Sequence, residues 1–172
     1  LFDLTNVSPM NSVPGAQNAT EDRSFVLSSA AGNALSLSDT DSLNQNVRVT
    51  LSVTNGTLSI GALDQAYISG NGSASITLTG NATNLNTLLA AGLTYVPTAN
   101  FSGATTLTMA TSDLGSIGAL PQTDTDNVTI NVAAAPNAPT ATNLTQLRVY
   151  LDGATSVALD DIVITDPNVG DT

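Results

Sequence analysis

"VRVTLSVTNGTLSI", residues 47–60, decides the fold class. Val47, Val49, Leu51 and Val53 alternate with Arg48, Thr50 and Ser52, so an extended strand would carry one apolar and one polar face. Asn55-Gly56 follows, and both residues tolerate the positive φ of a tight reversal. The pair predicts a hairpin turn into a second strand over 57–60. The same alternation recurs at 23–28, 33–38, 73–80, 93–96, 105–111 and 125–132, with turn signals such as Gly70-Asn71-Gly72 between. Roughly seven to nine short strands at this spacing predict an all-β, Greek-key β-sandwich of cadherin/immunoglobulin type. Each strand buries one face, so two sheets must close their Val, Leu and Ile faces on each other.

One segment breaks the period. "NATNLNTLLAAGL" (81–93) spaces Leu85, Leu88 and Leu89 for one short helix, with Thr83 or Asn84 as cap and Gly92 as stop. Tyr95 and Phe101 flank Pro97 in a corner between strands. Two isolated rings make a poor binding platform, so they are expected to plug that corner.

"AAAPNAPTA" (133–141) ends the pattern, because proline lacks the N–H that a strand ladder needs. Beyond it, "TSVALDDIVITDPNVGD" echoes "SFVLSSAAGNALSLSDTDS" as strand, loop, strand and acid-bearing turn. The expected organisation is an N-terminal extension or strand at 1–17, a β-sandwich repeat at 18–133, a proline-containing linker at 134–141 and a partial second repeat at 142–172. The start "LFDLTNVSPM" has no basic region before an apolar one, which suggests a mature or excised fragment.

Charge narrows the function. Fourteen acids stand against three Arg, with no Lys and no His, for a net charge of -11. Such a surface repels nucleic acid and anionic membrane, and it attracts cations. No run of 18 apolar residues is present to insert into a bilayer. The chain has no cysteine, so neither disulfides nor thiol chemistry is open to it. Without His, Cys or Lys the usual base, nucleophile and Schiff-base former are missing, and the chain reads as a non-enzyme.

The acids gather at strand ends. Glu21 precedes the first clear strand, Asp39 and Asp41 close another as "SDTDS", Asp113 ends the 105–111 strand, and Asp124 and Asp126 open the last as "DTD". Asp160, Asp161, Asp166 and Asp171 hold comparable places in the tail. Ca2+ needs six to eight oxygens, and an Asp-x-Asp turn can supply two. The acids could converge on Ca2+ only if their strand ends share a pole of the sandwich.

"NATEDRSFVL", "ALSLSDTDS", "VRVTLSVTNGTLSI", "LNTLLAAGLTYVPTANFSGATTLTMATSDLG" and "TDTDNVTINV" together resemble, in order, the cadherin-like repeats of large bacterial surface adhesins of the RTX-adhesin type. The resemblance implies a calcium-stabilised, extracellular, cell-surface structural and adhesive module. Its candidate metal ligands would be Glu21, Asp39, Asp41, Asp113, Asp124 and Asp126. Such repeats often end in an Asn-Asp-Ala-Pro linker, whereas this chain has Pro136-Asn137-Ala138-Pro139, with no carboxylate for an ion between repeats. The partners implied are neighbouring repeats and a cell-surface glycan or protein. An alternative is a filament subunit that joins identical subunits head to tail by strand exchange, with "LFDLTNV" as the donated strand. A carbohydrate- or ice-binding module is a third reading, motivated by the Thr arrays of "SITLTG" and "TLTMAT".

Overall fold

The alternating face at 47–53 is buried as its period dictates: Val47, Val49 and Leu51 are fully enclosed on β5 (Asn46–Val53), and Val53 nearly so. The computed structural model describes residues 6–61, 66–115, 119–146, 152–153, 156 and 160–165, and it divides the chain into two units, Leu1–Ala134 and Ala135–Thr172. In the first unit the strands are β1 (Met10–Ser12), β2 (Gln17–Thr20), β3 (Phe25–Leu27), β4 (Ser36–Ser38), β5, β6 (Thr57–Ile60), β7 (Tyr67–Ser69) and β8 (Ser75–Asn81). After the helix α1 (Ala82–Ala91) come β9 (Leu93–Val96), β10 (Gly103–Ser112) and β11 (Thr123–Ala133). One sheet runs β2-β11-β10-β5-β8-β7, a second runs β3-β9-β6, and β1 pairs with β4 in a short ribbon. All pairs are antiparallel except β2 along β11. Leu51, Leu78, Leu107 and Ile130 from the large sheet join Leu27, Leu58, Leu93 and Tyr95 from the small one in a single apolar cluster. The all-β sandwich with one short helix is therefore present. Each fully buried Leu or Ile contributes about 1.5–3 kcal/mol to it.

The Asn55-Gly56 turn has a different role from the hairpin that the sequence predicts. β5 pairs with β8 and β10, whereas β6 pairs with β9 in the other sheet, so the turn is a crossover between sheets. Tyr95 on β9 directs it. Its hydroxyl donates to the Asn55 carbonyl at 2.5 Å, while Thr105 Oγ1 accepts from the Asn55 N–H at 3.2 Å. Gly56 has φ +135°, and a Cβ there would lie 2.3 Å from the Val96 carbonyl and 2.5 Å from the Tyr95 ring. The ring thus packs on the Asn55-Gly56 turn, a corner forty residues from the Pro97 one that it flanks in sequence, and Phe101 packs half-buried against the same core.

Three strands escape the sequence pattern: β1, β2 and β7 are three or four residues long and polar or mixed. β1 lies within 1–17, where an extension or strand was expected. α1 also begins differently. Asn81, the last residue of β8, is its cap and accepts from the Asn84 N–H at 2.9 Å, while Gly92 stops the helix with φ +142°. Asn84 donates to the cap because the strand's extended backbone continues to Asn81.

Asparagine amides complete two strand edges. Asn71 bonds both the N–H and the carbonyl of Ile60 at 2.9 Å, and Asn86 does the same for Leu37 at 2.9 and 2.8 Å. Each amide stands in for a missing neighbouring strand without adding charge.

In the second unit, β12 (Thr140–Thr142) pairs antiparallel with β13 (Val163–Thr165). Like the β1–β4 ribbon, this is a three-residue antiparallel pair whose first strand directly follows a proline; Thr140 stands 130 positions after Met10, and Val163 stands 127 after Ser36. Asp166 and Asp171 lie outside the described residues, as do Leu1–Thr5 of the proposed donor strand.

Gly56→Ala should cost at least about 2 kcal/mol, through the forbidden φ and the clash with Val96 and Tyr95. Gly15→Ala, where a Cβ meets nothing within 4 Å, serves as the control and should be near neutral. Urea unfolding of the two variants checks this, and equal midpoints would contradict the corner's role.

Candidate functional site

β10 delivers Asp113 to one pole of the first unit, and the loop that follows folds back to enclose it. The Asp113 N–H donates to the Gln122 carbonyl at 3.2 Å, closing the loop where β11 begins. Oδ1 accepts from the N–H groups of Gly115 (2.9 Å) and Gln122 (2.8 Å), and Oδ2 accepts from Asn6 Nδ2 at 2.7 Å. The side chain is 1% exposed. The donors in these three bonds are neutral amides, which stabilise the carboxylate without cancelling its charge.

The "SDTDS" turn closes β4 beside it. Asp39 Oδ1 accepts from the Asp41 N–H at 3.3 Å, and Asp41 Oδ2 accepts from the Val7 N–H at 3.0 Å. Burial raises the pKa of Asp39, reinforced by a hydrogen bond to the Asp41 carboxyl and by the charges of Asp41 and Asp113. The Val7 N–H, followed by the bond to Asp39, lowers that of Asp41. Three side-chain oxygens at this pole are buried with no hydrogen-bond donor: Asn6 Oδ1, Asp39 Oδ2 and Asp41 Oδ1. Leaving a buried acceptor unsatisfied costs about 1–3 kcal/mol each. Among the described residues, no trio of carboxylates by itself forms a metal-binding group.

The other expected ligands lie elsewhere. Asp124, on the core-facing side of β11, accepts from the Asn11 N–H at 2.7 Å and so holds β1. Asp126 is half-buried two residues further along the same face. Glu21 sits at the far end of β11, where its N–H donates to the Ala133 carbonyl at 2.9 Å and its side chain is 1% exposed. β11 has eleven residues, so its ends are about 34 Å apart at a strand rise of ~3.4 Å. No single Ca2+, with oxygens at about 2.3–2.6 Å, can join Glu21 to Asp113. Asp39 and Asp41 are therefore adjacent, Asp113 lies near enough for its charge to act on Asp39, Asp124 is a strand tether, and Glu21 belongs to the opposite pole. Sequence reasoning missed Asn6, whose neutral side chain carries no metal-ligand signature.

No family model matches the chain, and no curated protein does. Among solved structures, the seventh ScaB type I cohesin of Pseudobacteroides cellulosolvens aligns at TM-score 0.42 and 13% identity, covering 78% of this chain and 95% of the cohesin. CaCohA2 of Clostridium acetobutylicum aligns at 0.44 and 12%, covering 76% and 94%. AggA, the major subunit of aggregative adherence fimbriae type I of Escherichia coli, aligns at 0.38 and 13%, covering 75% and 99%. Likenesses of this strength assign neither a family nor a partner.

The Asp39–Asp41 pair gives a pH signature without divalent ions. Because the folded pKa of Asp39 is raised, the folded state takes up this proton before the unfolded chain does, so stability should rise as pH falls through that value. The gain is complete near the ordinary 3.8, below which the depressed Asp41 is protonated and its contribution is lost. Chemical unfolding in EDTA across this range should show the rise in the native chain and a flattened one in Asp39→Asn. Identical profiles would contradict the reading.

Proposed function

We propose that the chain is a non-enzymatic extracellular structural and adhesive module, one calcium-stabilised repeat in the tandem string of a large cell-surface protein. The observation that carries this reading is the likeness of the β12–β13 ribbon to the β1–β4 ribbon, with first strands 130 and second strands 127 positions apart. The path of the first unit supports it. Asn6 lies at the Asp113 pole, and β11 leaves at Ala133 beside Glu21, so the chain crosses the sandwich from end to end. Repeats joined in this way add length, and the neighbouring repeat is the natural partner at each pole. The cadherin-like resemblance of the sequence agrees with this role.

Calcium suits the Asp113 pole for chemical reasons. The donors are hard oxygens, the chain has no Lys or His to neutralise them, and buried acceptors await a partner. Asp39 and Asp41 would hold the ion, and Asp113 would add its charge. When bound, a divalent ion offsets the mutual repulsion of three carboxylates. At about 100-fold excess over its dissociation constant it should stabilise the fold by ~2.7 kcal/mol, a shift of several degrees in Tm. Differential scanning calorimetry should show that rise with Ca2+, its reversal by EDTA, and a smaller effect of Mg2+, which demands stricter octahedral geometry. Superimposable melting curves with and without Ca2+ would refute the metal.

A second reading has its own observation. Ile162, Val163 and Ile164 of the β13 region are more than half exposed, and a two-stranded ribbon is marginal alone. Strands from an identical subunit could complete it, building a head-to-tail filament by strand exchange. Light scattering across a concentration series separates the two: open-ended growth supports the filament, and a constant monomer mass supports the tandem module.

A further inference from the structure

We infer that Asn55 is a site of spontaneous deamidation, a slow hydrolytic modification that re-routes the main chain at the corner between the two sheets. The inference is independent of the calcium reading. Asparagine is chemically labile, and most so before glycine, whose lack of a Cβ leaves its backbone nitrogen unhindered. The chain contains two such pairs, Asn55-Gly56 and Asn71-Gly72. The fold treats them in opposite ways.

The reaction needs a free side-chain amide and a free glycine N–H. At Asn71 neither is available. Its Oδ1 accepts from the Ile60 N–H and its Nδ2 donates to the Ile60 carbonyl, both at 2.9 Å, while the Gly72 N–H donates to the Leu58 carbonyl at 2.9 Å. Attack there requires all three bonds to open first. The bonds at Asn55 engage its main chain instead: the N–H donates to Thr105 Oγ1 and the carbonyl accepts from Tyr95. Among the described residues, no hydrogen bond is made to the Asn55 side chain or by the Gly56 N–H. Both residues are half-buried, so water reaches them.

In the first step the Gly56 nitrogen attacks Asn55 Cγ. An N–Cγ bond forms, the Cγ–Nδ2 bond breaks, and Nδ2 leaves as ammonia with the glycine proton. The five-membered imide then takes up one water. Opening at Cγ gives aspartate, and opening at the main-chain carbonyl gives isoaspartate, whose chain runs through Cβ and Cγ. Either product carries one more negative charge. Tyr95 assists the first step. As the Gly56 nitrogen loses its proton, charge spreads onto the oxygen of the same peptide group, the Asn55 carbonyl, where the Tyr95 hydroxyl donates at 2.5 Å. A donor already fixed where charge develops lowers the barrier. Isoaspartate adds one backbone carbon between β5 and β6 and displaces the carbonyl that Tyr95 holds. The modified fraction therefore grows with the age of each copy and loosens the crossover.

The test holds the full chain folded in mildly alkaline buffer while peptide mass spectrometry follows positions 55 and 71, separating aspartyl from isoaspartyl products. Asn55 should gain one mass unit with time and yield both products. Asn71 should react at least about tenfold more slowly, the factor set by an opening cost of only ~1.4 kcal/mol. In urea the two pairs should react at similar rates, because both are then plain Asn-Gly sequences. The isoaspartyl fraction should unfold at a lower urea concentration than the unmodified chain. Asn71 reacting as fast as Asn55 in the folded chain would overturn the inference, as would an Asn55 that stays intact while the urea sample reacts. An unchanged urea midpoint in the isoaspartyl fraction would overturn the effect on the corner.

Discussion

The hydrogen bond from the Tyr95 hydroxyl to the Asn55 carbonyl fixes where the chain changes sheets, and the remaining architecture follows from that corner. With Gly56 pressed under the ring, β6 is directed to β9 instead of back along β5, and one apolar face becomes two that enclose a core. Thr105 joins the same corner through Thr54 (2.8 Å) and the Asn55 N–H (3.2 Å), which sets the starting point of β10. Asp113 lies eight residues beyond Thr105, about 27 Å away at a strand rise of ~3.4 Å. The aromatic corner and the buried carboxylate are thus opposite ends of one rigid strand.

The two ends solve polar satisfaction differently. Along the sheet edges, Asn71 and Asn86 act as surrogate peptide groups, neutral and fully paired with Ile60 and Leu37. At the Asp113 pole the neutral amides run out before the acceptors do, and negative charge accumulates where burial has already raised the pKa of Asp39. In a chain with a net charge of -11, the counter-charge proposed for this pole is a divalent ion.

Much of this was legible in the sequence, for identifiable reasons. Strands long enough to show the period of two, such as β5, β10 and β11, were read within one or two residues, because half-buried sheets impose that period. The short β1, β2 and β7 were hidden, since their polar or mixed residues show no alternation of apolar and polar side chains. Asn55-Gly56 announced a turn but not its destination, which depends on Tyr95, forty residues away. Asp39, Asp41 and Asp113 were visible as strand-end acids, but whether they shared a pole with Glu21 depended on strand directions that local sequence does not encode. Asn6 gave no signal, because its role comes from a contact 107 residues distant in the chain.

The most direct measurement is the anomalous difference density of a crystal grown in Ca2+. The account predicts one ion at the Asp113 pole, bound by carboxylate oxygens of Asp39 and Asp41 at about 2.3–2.6 Å, with waters or carbonyls completing the shell. A water molecule at that position in saturating Ca2+, or an ion found solely at the Glu21 pole, would contradict it.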